Sequence, residues 1–74
     1  MDKHSFLTII SEELQLNRAI TSGTILNELE EWDSLAKIVV RGIAETQFGK
    51  SPSLDAISTC ETVGDLAALL GVAE

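Results

Sequence analysis

Seventy-four residues suffice for one small domain, and a chain of this length buries only about 60% of the surface its unfolded form exposes. Twelve Asp and Glu against five Lys and Arg give a formal net charge of -7. That balance argues against a nucleic-acid partner, because a phosphate backbone needs concentrated basic side chains to displace its counterions. Cys60 and His4 are each alone in the sequence, which excludes an intrachain disulfide and leaves no Cys or His pair at metal-ligand spacing.

In chain order, the first apolar periodicity is Leu7, Ile10 and Leu14, with Phe6 close to the same face, and it predicts a helix. Asp2 and Ser5 are both placed to cap its start. The pattern fails after Leu16, and Asn17 to Thr24 reads as loop, most turn-like at Thr21-Ser22-Gly23-Thr24. Ile25, Leu26 and Leu29 follow as apolar anchors, so this long connection is expected to pack down; ordered connections of that length often carry function.

Asp33 is a good N-cap for a second helix predicted over Ser34 to Phe48, with Gly49 as its C′ residue. Ser51-Pro52 breaks the chain, and a short third helix is predicted from Leu54 to about Thr59, entered through Ser53. Thr62-Val63-Gly64-Asp65 fits a capping box and starts a fourth helix, whose apolar face is Val63, Leu66 and Leu70 and whose end is Gly71. The expected architecture is an all-α four-helix bundle with a short third helix and a long first loop.

At about 100° per residue, Lys37, Arg41 and Glu45 share one arc of the second helix with Ser34 and Phe48. Leu35, Ile38, Val39, Val40 and Ile43, with Ala36, Gly42 and Ala44, occupy the remainder. So wide an apolar face makes the helix central to the bundle and leaves hydrophobic surface for a partner. The Ser34 hydroxyl is expected to face solvent on the first turn, where free N–H groups and the positive end of the helix dipole favour a phosphate ester. Taken alone, Asp33-Ser34 is also what an ordinary helix cap looks like.

Trp32-Asp33-Ser34-Leu35, the Phe48-Gly49 pair fourteen residues beyond the serine, and Thr62-Val63-Gly64-Asp65-Leu66 together resemble the acyl carrier and peptidyl carrier protein family over essentially the whole chain. The resemblance implies that Ser34 receives 4′-phosphopantetheine from coenzyme A through a Mg²⁺-dependent phosphopantetheinyl transferase. It also implies that Asp33 supports this modification and that Leu35 is an apolar recognition point for partner enzymes. On the same reading Ala36, Val39 and Trp32 complete the partner-binding set, although packing under the loop is the preferred reading of Trp32. The function implied is a non-catalytic carrier that presents acyl or aminoacyl thioesters to a loading ligase and to downstream synthases or transferases.

Two positions depart from the family's pattern. Glu31 and Trp32 stand where many members have a glycine before the Asp-Ser pair. Fatty-acid-type carriers place several carboxylates on the second helix, whereas this chain has Ala36, Lys37, Val39 and Arg41, with Glu45 the first acid. Docking is therefore expected to lean on apolar contact, which points to a specialised biosynthetic pathway. Val40, Ile43, Ala44 and Ile57 either line a space for an acyl chain or are ordinary core. The competing readings are an unmodified docking module of the same fold and a hydrolase using Ser34, the latter without a paired base in view. The sequence shows no apolar run of signal-peptide type and no membrane-spanning stretch, so a cytoplasmic monomer is expected.

Overall fold

The structure, a computed structural model, describes residues 2–72. Asp2, not Ser5, starts the first helix: its carboxylate accepts the Ser5 N–H at 2.8 Å, and α1 runs Lys3–Glu13. That hydrogen bond holds the Asp2 carboxyl below the usual carboxylate range. The buried stripe is Phe6, Ile10 and Leu14, at i, i+4 and i+8, so Phe6 replaces Leu7 at the centre of the face; Leu7 is half-buried at its edge.

The helix then ends on a residue the sequence does not advertise. Gln15 adopts a left-handed φ of 55°, and the Leu16 N–H reaches back to the Ser11 carbonyl at 2.9 Å while the Gln15 N–H reaches that of Glu12 at 3.2 Å. This is the paired hydrogen-bond pattern that usually places glycine at the C′ position.

The long connection does pack down. Ile20, Leu26 and Leu29 are buried, Leu26 opening and Leu29 following a single 3₁₀ turn at Leu26–Glu28. Ile25 was an expected anchor, yet it is 44% exposed. Its backbone, rather than its side chain, is what holds, through an isolated antiparallel bridge to Thr62. Around that bridge the Leu26 N–H donates to the Glu61 carbonyl at 2.8 Å, the Val63 N–H to Thr24 at 3.0 Å and the Gly64 N–H to Ser22 at 2.7 Å.

α2 spans Ser34–Ile43 and continues as a π turn over Ala44–Phe48, where the sequence pattern predicts an unbroken α-helix. The Thr46 hydroxyl donates to the Gly42 carbonyl at 3.0 Å, the acceptor that an α-helical Thr46 N–H would use. The turn has a consequence for packing. An unbroken α-helix would aim Phe48 outward with Ser34 and Arg41; the wider π turn advances each residue by less than about 100° and brings it back to the core side. There its ring meets Phe6 edge-on, with centroids 6.2 Å apart. Gly49, at φ 64°, then reverses the chain.

α3 is Leu54–Ser58, capped by the Ser53 hydroxyl, which accepts the Ala56 N–H at 3.1 Å. α4 is Val63–Leu70, with the expected capping box at Thr62 and Asp65 and Gly71 at φ 76° closing it. Among the described residues the secondary structure is helical, with four α-helices and no strand. The fully buried side chains come from every long element: Phe6 and Ile10 of α1, Val40 of α2, Ile57 of α3, Val63, Leu66 and Leu70 of α4. No described polar or charged residue is buried among them. Cys60 is buried with its thiol 3.6 Å from the Ala56 carbonyl, and desolvation pushes that thiol's pKa up. Among the described residues no helix is long and apolar enough to cross a membrane.

Candidate functional site at the start of the second helix

The start of α2 is built by Asp33. Its backbone is extended, and its carboxylate turns forward to accept the Ala36 N–H at 2.9 Å while its carbonyl accepts from Lys37 at 3.1 Å. These two bonds fix the direction of the first turn. Ser34 is the first helical residue and is exposed, with its Oγ in no hydrogen bond among the described residues. Among the described residues no loop carbonyl takes the Ser34 or Leu35 N–H either, so the anion-favouring end of the helix stays open.

Around Ser34 the surface divides. On one side, Leu35 is 67% and Ile38 54% exposed. Gly42 continues their line one turn on, and a Cβ placed there would meet nothing within 4 Å. No packing inside the chain therefore requires that glycine, although glycine inside a helix costs about 1 kcal/mol relative to alanine. On the other side lie the charges. Arg41 pairs with Glu45 at 3.5 Å, and the Lys37 ammonium sits 6.0 Å from the centroid of the Trp32 ring, at the limit of a cation–π contact.

The sequence-predicted partner residues fare differently. Leu35 is fully presented. Ala36 is 4% exposed and belongs to the core, because two positions past Ser34 the helix has turned its face inward. Val39 and Trp32 are partly buried against the core. Ile38, not singled out from the sequence, is more exposed than Ala36, and the helical wheel carries the signal, since Ile38 lies about 40° from Ser34 and Ala36 about 160° away. Val40, Ile43, Ala44 and Ile57 are all buried as core.

A cleft of about 350 Å³ opens beside Leu35, between the end of α1 and the loop before α2. Its apolar floor is Leu14, Ala36 and Val39, and its rim carries Glu13, Glu31 and Asp33. Glu31 reaches Arg18 at 3.8 Å through Oε2, while its Oε1 is buried without a hydrogen-bond partner. Compared with family models, curated proteins and solved structures, the chain matches none of them.

Proposed function

We propose that the chain is a carrier protein of acyl-carrier type, modified with 4′-phosphopantetheine on Ser34 and docked by partner enzymes through the exposed start of α2. The observation that carries this reading is the environment of Ser34: an unengaged, solvent-facing hydroxyl at the first residue of a rigidly capped helix, bordered by Leu35 and Ile38. Such a hydroxyl is open to a transferase without disturbance of the core. The residues fit the group: the free N–H groups of Ser34 and Leu35 favour a phosphodiester at that position, and Ser34 is exposed.

When bound, 4′-phosphopantetheine supplies a terminal thiol on a long flexible tether, on which acyl or aminoacyl groups travel as thioesters between enzymes at high effective concentration. The chain's own residues do the rest. Asp33 holds the helix start in place and keeps a carboxylate beside the serine, where a transferase's Mg²⁺ would find it. Leu35 and Ile38 offer apolar contacts for docking, and Gly42 lets a partner backbone approach closely. With Lys37 and Arg41 on this helix and Glu45 its only acid, docking depends less on a carboxylate stripe than on these apolar groups, which favours a dedicated partner set.

Intact-protein mass spectrometry after incubation with a broad-specificity phosphopantetheinyl transferase, Mg²⁺ and coenzyme A tests the proposal. One phosphopantetheinyl addition is expected on the natural sequence and none on Ser34→Ala. No addition to a folded sample, beside a control carrier that is modified, would leave the exposed Leu35 and Ile38 as the face of an unmodified docking module.

A further inference from the structure

A phosphodiester on Ser34 keeps a negative charge at neutral pH, and the sequence surrounds it with Glu30, Glu31 and Asp33. Repulsion from these acids opposes the attraction of the free N–H groups for such a group, and a nearby cation adds to that attraction. Three basic side chains stand in this part of the molecule. Arg18 is paired with Glu31 and Arg41 with Glu45. Lys37 is paired with no carboxylate among the described residues.

Lys37 is also the one placed to serve. It lies three residues beyond Ser34, on the same side of α2, and helical side chains lean toward the N-terminus. Its ammonium follows that lean to the Trp32 ring, 6.0 Å from the centroid. Trp32 is half-buried against the core, and its backbone N–H donates to the Leu29 carbonyl at 3.1 Å. The Lys37–Trp32 contact, at the outer limit of a cation–π interaction, directs the lysine toward the N-terminal end of the helix.

We infer that Lys37, seated on Trp32, is a positioning residue for the phosphodiester of the arm at Ser34, and that it sets the direction in which the arm leaves the helix. The inference rests on the carrier reading. Lys37 is half-buried and Ser34 exposed, so the interaction lies at the surface and weakens as salt rises.

The test uses the holo-protein, followed by ³¹P NMR of the phosphodiester and by the side-chain resonances of Lys37. Conversion from apo to holo is expected to move the Lys37 methylene signals away from their Trp32 ring-current positions. In the natural sequence the ³¹P shift is expected to vary with salt; Lys37→Gln is expected to abolish that variation and Lys37→Arg to restore it. A ³¹P signal with the same shift, relaxation and salt dependence in the natural sequence and Lys37→Gln overturns the inference while leaving the carrier reading intact. If Lys37→Gln is modified too poorly to measure, unchanged Lys37 resonances between apo and holo natural protein overturn it equally. Absence of any mass addition to the natural sequence overturns the carrier reading and this inference together.

Discussion

The starts of α2 and α4 use the same capping chemistry to opposite ends. At α4 every early donor is taken from within the chain: Val63 and Gly64 donate to the loop carbonyls of Thr24 and Ser22, and Asp65 donates to the Thr62 hydroxyl. The Asp65 carboxylate closes the box by accepting from Glu61 and Thr62. At α2 the cap ends with Asp33, and Ser34 and Leu35 face outward with their N–H groups open. One helix start is a joint that locks the long loop; the other is a platform kept clear. In the Thr62-to-Leu66 run the threonine, valine, glycine and aspartate are each explained by folding, whereas Ser34, Leu35 and Ile38 are explained by nothing inside the chain.

Substitutions break that contrast in order of size. Gly64→Val is expected to cost the most, about 2 kcal/mol, because a Cβ there would stand 2.9 Å from the Ser22 carbonyl oxygen and force the loop off α4. A urea midpoint matching that of the natural sequence would deny the joint its role. Asp33→Ala removes the α2 cap and is expected to cost about 1 kcal/mol in stability, and in addition to slow modification of Ser34; a stability loss without a rate effect would confine Asp33 to capping. Gly42→Ala is expected to stabilise by up to about 1 kcal/mol, since its methyl meets no neighbour, while weakening transfer to a cognate partner. Leu35→Ala is expected to leave stability within about 0.5 kcal/mol and to reduce docking, measured as the rate of loading by the partner enzyme. A large loss of stability there would move Leu35 from platform to core.

The smallest effect distinguishes the two caps by pH. Hydrogen bonds from the Glu61 and Thr62 N–H groups hold the Asp65 carboxyl below the usual carboxylate range. Its contribution to stability is therefore full above the unfolded-state pKa and is lost as pH falls through the lower folded value. Asp65→Asn is expected to flatten the acid limb of the stability profile, read as the urea midpoint against pH; an unchanged limb would assign acid sensitivity elsewhere.

Helix starts were legible because they are written locally. Asp33, Ser53 and Thr62 each cap the helix they precede, and Gly49 and Gly71 take the positive φ that glycine signals. Features set by distant partners were not. The end of α1 hides in Gln15, which pays for a left-handed turn normally marked by glycine. The π turn brings Phe48 to Phe6 across the bundle, a contact the helical period does not show, and the exposed Ile25 is held by its backbone bridge to Thr62. Ile20 buries without any periodic signal, from inside a stretch that reads as turn and loop. At the site, the exposure of Ser34, Arg41 and Glu45 follows from helical spacing alone, while Lys37 on the same line is half-buried. The inward face of Ala36 was overlooked in favour of its closeness in sequence to Ser34.

The most direct test of the carrier assignment is to react the natural chain with transferase, Mg²⁺ and coenzyme A and to locate any added mass by peptide fragmentation. The account predicts a single phosphopantetheinyl group on the peptide bearing Ser34, and on Ser34 itself. An unmodified chain, folded and tested beside a control carrier that is fully converted, would contradict it.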